Sequence, residues 1–267
     1  MMPTTLEVLL SPVEFANLRN RDLSRTVCVV FDILRATTSM MTALANGAEA
    51  IIPVAEISEA LALRQQRPEV LLAGEREGLR IRADATGGIE FDLGNSPREY
   101  TAAKVQGKTI VMTTTNGTRA LRACAGAQAV LVGSFLNLRA TYAWLQEQRP
   151  PHLILACSGT FNEPALEDIL AAGAVCERIW PLYAGGHISD SAEIARRLYP
   201  LMQYDLPGVM KHSRNGRRLL ANPELRSDVW FCVQRETISF AAELCQDGVI
   251  RKKEGPRTHH GGEDALK

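Results

Sequence analysis

The sequence predicts a layered α/β/α fold with a mainly parallel or mixed sheet, with room for two similar βαβ-type subdomains. Three observations carry that expectation. Apolar, often β-branched runs recur at 27–32, 70–74, 109–113, 129–133 and 153–157, with a further strand at 6–10. Helical patterns fall between them, and strands alternating with helices imply crossover connections over a parallel sheet. Polar clusters follow the carboxyl ends of the strands again and again, where open parallel sheets bind ligands.

Taken in order, the strand at 27–32 runs into DILRATT and a helix at 37–45, and a helix at 57–64 precedes the strand at 70–74. The segment FDLGNSP (91–97) reads as a capped entry, through Asn95 or Ser96 and Pro97, to a helix at 98–105. After the strand at 109–113 come a helix at 118–124, the strand at 129–133, a helix at 140–146 and the strand at 153–157. Long helices at 165–180 and 190–199 follow, the second opened by a capping box from Asp190 to Glu193. Segments 38–54 and 117–133 align without a gap, each passing from a Thr-bearing loop through a small-residue helix into a strand; chance or convergence of Ala-rich helices explains this at least as well as a duplication, which would imply two related βαβ units side by side. From about 208 the pattern loosens: SRNGRRL is a basic turn, and 228–245 joins a strand-like VWFCV to a helical ETISFAAELC. The expected division is one catalytic α/β domain over 1–248, or two intimately packed subdomains, and a disordered charged tail over 249–267 that includes His259 and His260.

The 267 residues, 46% of them hydrophobic, suffice for a sizeable core. Thirty basic and thirty acidic side chains cancel, so no overall field points to nucleic acid or an anionic membrane. The six cysteines include no C-x-x-C pair and lie mostly in apolar runs, as buried free thiols of a reducing compartment do. MMPTTLEVLL has no positive n-region or cleavage signal and no apolar run reaches membrane-spanning length, so a cytoplasmic protein is expected. Whether it forms homo-oligomers is left open.

Five polar clusters carry the chemistry. TTTNGTR (113–119) gathers the hydroxyls of Thr113, Thr114, Thr115 and Thr118 with Asn116, Gly117 and Arg119 where a strand turns into a helix. Unpaired N–H groups there favour an anion, Gly117 would allow close backbone approach to it, and Arg119 would fork onto two of its oxygens. Ordinary turn and capping chemistry is the alternative. DILRATT sets Asp32, a suitable Mg²⁺ ligand, beside Arg35, Thr37 and Thr38, which would hold an anion; the alternative is that Asp32 pairs internally with Arg35 and Thr37 simply caps its helix. GER supplies Glu75 and Arg76, GSFLN supplies Ser134 and Asn137, and CSGTFNEPALED ends in Glu167 and Asp168. Acidic residues in a first helical turn also serve the helix dipole alone. No G-x-x-x-x-G-K-[ST] loop, G-x-G-x-x-G turn after a strand or HExxH occurs, Asp32 opens no DxD, and Cys157 is followed six residues later by Glu163 rather than by the Arg of a cysteine-phosphatase loop, so the candidate groups are oxygen-rich and suited to Mg²⁺ and phosphate.

DILRATTS, GER, FDLGNSPREY, GKTIVMTTTNGTRA, GSFLN and LEDILAAGA, in this order, resemble the 2-phosphosulfolactate phosphatase family over about 27–199, and more weakly to about 233. The resemblance implies a Mg²⁺-dependent hydrolase associated with coenzyme M biosynthesis, releasing phosphate from (2R)-2-phospho-3-sulfolactate to give 3-sulfolactate. Its substrate would be a small anion held by Arg35, Arg76 and Arg119, with Asp32, Glu75 and Asp168 as metal ligands or water-orienting groups and Glu167 and Asp190 in reserve. LRIRADATGGIEFDLG after GEREG is longer than the motifs lead one to expect, and its Arg80 and Arg82 would reshape the pocket mouth. Alternatives are a phosphatase or phosphoryl transferase acting on another phosphorylated hydroxy acid, or a non-catalytic anion-binding module.

Overall fold

A computed structural model describes residues 4–253. Its strands are β1 (Thr5–Leu9), β2 (Thr26–Phe31), β3 (Ala50–Val54), β4 (Leu71–Arg76), β5 (Leu79–Arg80), β6 (Thr109–Thr113), β7 (Ala129–Gly133), β8 (His152–Cys157), β9 (His187–Ile188), β10 (Ala241–Leu244) and β11 (Ile250–Lys253). They form one mixed sheet in the order β5-β4-β6-β3-β11-β10-β7-β2-β8-β1-β9. Three hydrophobic clusters pack on its faces: one runs from Leu6, Val27 and Leu131 to helix Leu166–Tyr183, another from Cys28 and Val130 to helix Ala36–Ala45, and a smaller third joins Val54, Leu72 and Val111 to Ala60 of helix Ile57–Gln66. β2 is buried at every position, which is why it reads as a continuous apolar run rather than an alternating one.

The sheet consists of two parallel blocks, β4-β6-β3 and β7-β2-β8-β1, joined by the antiparallel hairpin β10–β11. The unit β2–helix Ala36–Ala45–β3–helix Ile57–Gln66–β4 is followed by an equivalent one, β6–helix Gly117–Ala123–β7–helix Leu138–Gln148–β8. Each unit lends its first strand to the other: β2 lies between β7 and β8, and β6 between β3 and β4. The gap-free echo of 38–54 in 117–133 covers the helix and second strand of each unit, the part that carries the chain from one block into the other.

Across the hairpin the two blocks are formally opposed, since β7–β10, β10–β11 and β11–β3 are all antiparallel. A usual twist of about −20 to −25° per step sums to roughly −100 to −125° over the five steps from β2 to β6. That rotation accounts for the meeting of loops from both blocks at one place.

Several expectations are corrected. Ile250–Lys253 is a strand in the middle of the sheet, so the domain does not end at 248; Ile250 is fully buried beside Ile51. His259 and His260 lie outside the described residues. VWFCV belongs to helix Arg226–Cys232, and ETISFAAELC supplies strand β10, the reverse of the sequence reading. The expected helix at 98–105 is a 3-10 turn, Pro97–Glu99, and one helical turn, Ala102–Val105. Ser189, rather than Asp190, caps helix Asp190–Met202 by accepting from the Ala192 N–H. Among the described residues no helix is long and apolar enough to cross a membrane.

Candidate active site

Asp32 is the first residue beyond β2, and the loop that presents it is braced from within. The Asp32 N–H donates to Thr37 Oγ1 and its carbonyl accepts from the same hydroxyl, both at 3.0 Å; Thr38 Oγ1 donates to the Ile33 carbonyl at 2.9 Å. Asp32 Oδ1 accepts from the Ala36 N–H at 3.2 Å, which leaves Oδ2 without a protein donor among the described residues. The Leu34–Arg35 peptide in this loop is cis.

Glu75 ties the end of β4 to the end of β6. Its Oε1 accepts from the N–H and hydroxyl of Thr115, both at 2.8 Å, and its Oε2 from the Gly78 N–H at 2.7 Å. Arg76 donates to the Glu75 and Ala55 carbonyls and to Thr113 Oγ1, and so lies across the ends of β4 and β6. Arg35 is fixed by two contacts, to Asp228 Oδ2 at 2.8 Å and to the Gly78 carbonyl at 2.5 Å. Asp228, in helix Arg226–Cys232, is itself fully buried and accepts from Ser96 Oγ at 2.7 Å.

These groups surround a cavity of about 230 Å³ whose wall includes Asp32, Arg35, Glu75, Arg76, Thr115 and Asn116. Asn95, Asn215 and Arg218 also line it, together with Leu34, Glu77, Gly78, Thr160 and Phe161. Over its mouth stands the turn Thr160–Glu163, with Phe161 and Asn162 both at positive φ (52° and 63°), a backbone that L side chains adopt at a cost. The turn is clipped from two sides: Arg119 donates to Asn162 Oδ1 at 3.0 Å, and Arg214 donates to the Thr160 carbonyl at 3.0 Å and pairs with Glu163.

Three acids crowd together beneath the cavity. Burial pushes the Asp32 carboxyl up to about 7; the Ala36 N–H and Arg35 oppose the shift, while Glu75 and Glu167 add to it. Burial, reinforced by the charges of Asp32 and Glu167, likewise raises Asp168 well above the usual carboxylate range. Glu167 is raised by burial against its hydrogen bond from Asn215, with Ser213 and Arg218 also opposing the shift; its Oε1 accepts from Asn215 at 2.7 Å and its Oε2 has no hydrogen-bond partner among the described residues. Like charges in a low dielectric demand a proton or a cation. Among the described residues no group of three or more His, Cys, Asp or Glu side chains is gathered closely enough to hold a metal.

The sequence-derived candidates therefore separate. Asp32, Arg35, Glu75, Arg76, Thr115 and Asn116 share the cavity wall. Asp168 does not line it; its Oδ1 accepts from the Ile33 N–H at 2.8 Å and its Oδ2 from the Gly159 N–H at 3.0 Å, clamping the loop after β2 to the loop after β8. Thr37 and Thr38 are fully buried and committed to their own loop, and Thr114 and Thr118 bond to each other, so none of these hydroxyls is offered to a ligand. Ser134 and Asn137 form a buried capping pair, with Asn137 Oδ1 accepting from the Ser134 N–H and hydroxyl. Gly117 provides close approach to protein, since a Cβ on it would stand 2.7 Å from Ala36 Cβ and 2.9 Å from Asp32 Oδ2. Arg119 turns away into a neighbouring groove beside Asn162. Arg80 and Arg82 pair with Glu90 and are not part of the cavity wall. Asp190 lies in the first turn of its own helix.

Asp228, Asn215 and Arg218 were not singled out as site residues from the sequence. They come from the helices Arg214–Ala221 and Arg226–Cys232, which follow no strand. The basic run SRNGRRL was the available signal, and it reads equally well as an exposed turn.

A family model described as 2-phosphosulpholactate phosphatase matches residues 14–247. The chain is 37% identical over 241 residues to a protein of Caldanaerobacter subterraneus subsp. tengcongensis, covering 89% of this chain and 95% of that one. It is 39% identical over 228 residues to a protein of Synechococcus sp. (strain JA-3-3Ab), covering 83% and 90%. With a protein of Thermotoga maritima it shares 36% identity over 228 residues, covering 85% and 92%. All three relatives are named probable 2-phosphosulfolactate phosphatase. On the match across nearly its whole length, the chain belongs to the 2-phosphosulfolactate phosphatase family and is a phosphoric monoester hydrolase.

Proposed function

We propose that the protein is a Mg²⁺-dependent phosphatase of the cytoplasm that hydrolyses (2R)-2-phospho-3-sulfolactate to 3-sulfolactate and phosphate, a step of coenzyme M biosynthesis. The observation that carries this reading is the polarity of the cavity: the unpaired Asp32 Oδ2 faces a space also lined by Arg35, Arg76 and Arg218. A small substrate bearing phosphate, carboxylate and sulfonate matches such a wall. The free thiols of all six cysteines agree with a reducing compartment.

The donor set suits a hard cation bound sparingly by protein. Both Glu75 oxygens are taken by N–H and O–H donors, whereas Asp32 retains one free oxygen inside a crowd of acids that a cation would relieve. Mg²⁺ is commonly held by one or two carboxylates with water and phosphate oxygens as its other ligands. Asp32 is thus the ligand, Glu75 orders the Thr115–Asn116 loop, and Asp168 holds the Asp32 loop in place. When bound, the metal would offset charge on the phosphoryl oxygens as the ester P–O bond breaks. Arg76 and Arg35 present N–H groups held rigidly by their partners, so little reorganisation is needed as charge moves to the leaving oxygen.

Phosphate release is measured with Mg²⁺ over a panel of phosphorylated hydroxy acids that includes 2-phospho-3-sulfolactate. Turnover of that compound, reduced about 10²-fold or more by Asp32→Asn with the fold retained, is the expected result. Absence of release from every member of the panel overturns the reading.

A further inference from the structure

The cavity wall includes two polar side-chain groups that make no hydrogen bond or ion pair among the described residues. Arg35 already pairs with Asp228, and Arg76 already donates to two carbonyls and a hydroxyl, which fixes both in place. Arg218 lines the same wall and makes no hydrogen bond or salt bridge among the described residues. An exposed arginine alone would signify little. The second group is Asn95, only 6% exposed and lining the cavity, whose Oδ1 has no hydrogen-bond partner among the described residues. Its Nδ2 also donates to no protein group among the described residues.

Both belong to one end of the cavity. Gly78 joins Arg218 to Arg35: its carbonyl accepts from Arg35, and a Cβ on it would stand 3.6 Å from Arg218 Cζ. Gly78 has φ +84°, so the β4–β5 turn favours glycine, and the Arg218 guanidinium packs beside it. Asn95 is joined to the same cluster through its neighbour Ser96, which donates to Asp228. The guanidinia of Arg35 and Arg218 and the Asn95 amide thus come together around Gly78 and Asp228, where Asp228 is committed to Arg35 and Glu75 to the Gly78 N–H. Asp32 and Asn116 lie toward the Gly117 junction, where Asp32 Oδ2 and the helix start approach one another.

We infer that Arg218 and Asn95 form a subsite for a second tetrahedral anion on the substrate, a sulfonate, separate from the phosphate near Asp32. This rests on the phosphatase reading above for the identity of the substrate. A sulfonate is fully charged at neutral pH and presents three oxygens, which a guanidinium fork and an amide donor can approach from different sides; a methyl group in its place would leave both donors unpaired.

The test compares 2-phospho-3-sulfolactate with 2-phospholactate, which carries a methyl group in place of the sulfonatomethyl group. In Arg218→Gln and Asn95→Ala, the ratio of kcat/KM for the sulfonated to the unsulfonated substrate should fall about tenfold or more. An unchanged ratio in both variants overturns the inference. Calorimetric titration with 3-sulfolactate and Mg²⁺ reads the subsite without turnover. A Kd weakened about tenfold in Arg218→Gln supports it, while equal affinity, or no binding to the unaltered protein, overturns it. If no phosphate is released from either substrate yet sulfolactate binding is lost in Arg218→Gln, the phosphatase reading fails and the anion subsite stands.

Discussion

Gly117 and Asp228 show how the site depends on residues that never react. At Gly117 the loop after β6 presses on the loop after β2 so closely that a methyl group would meet Ala36 and Asp32 Oδ2 inside van der Waals distance. Gly117→Ala is expected to cost about 1–3 kcal/mol in urea unfolding, as overpacking does, and to lower kcat as well, because the displaced atom is the free Asp32 oxygen. Asp228→Ala leaves the Arg35 guanidinium buried and unpaired, so a loss of about 3–5 kcal/mol is expected. The double variant Arg35→Met/Asp228→Leu, which removes both charges, should unfold at higher urea than Asp228→Ala. Asp32, Arg35, Glu75 and Arg76 were legible in the sequence because each follows a strand end. Asp228 and Arg218 were not, because their proximity to Asp32 is made by folding over about two hundred residues.

At the scale of elements, the strands of both parallel blocks were legible because buried central strands are apolar and β-branched without interruption. The hairpin between the blocks was not. β10 is Ala-Ala-Glu-Leu, a helical composition, and it is a strand because its place between β7 and β11 satisfies its backbone on both sides. The converse error in VWFCV has the same origin: a short apolar run fits either element, and burial at Val229, Cys232 and Val233 with Trp230 half exposed is the helical pattern. β11 was hidden by Arg251, Lys252 and Lys253, whose charged heads lie at partly open positions while Ile250 fills the interior. Ile250→Ala is expected to destabilise the whole protein by about 2–5 kcal/mol, seen as a lower urea midpoint with an unchanged m-value. A small effect would mean that the hairpin does not join the blocks cooperatively.

For the whole molecule, the exchange of first strands between the two βαβαβ units decides where chemistry can occur. Each block contains one strand of the other unit, so neither block is complete without its counterpart and the loops after β2 and β6 are brought face to face. The cavity is therefore composite: Asp32 comes from one block, Glu75 and Thr115 from the other, and Asn215 and Arg218 from helices packed on after both. Ligand binding to such a site couples elements far apart in sequence, and the stabilisation at about a hundredfold excess over Kd is about 2.7 kcal/mol. Saturating 3-sulfolactate with Mg²⁺ should consequently slow amide hydrogen exchange together at 33–36, 75–78, 115–118 and 214–219, measured by mass spectrometry on the intact chain. Slowing confined to one block would show that the ligand reads a single set of strand ends, and the composite site would have to be abandoned. Slowing in both, lost in Asp228→Ala at positions 33–36, would trace the coupling through the Arg35–Asp228 pair that joins the first catalytic loop to the last helices.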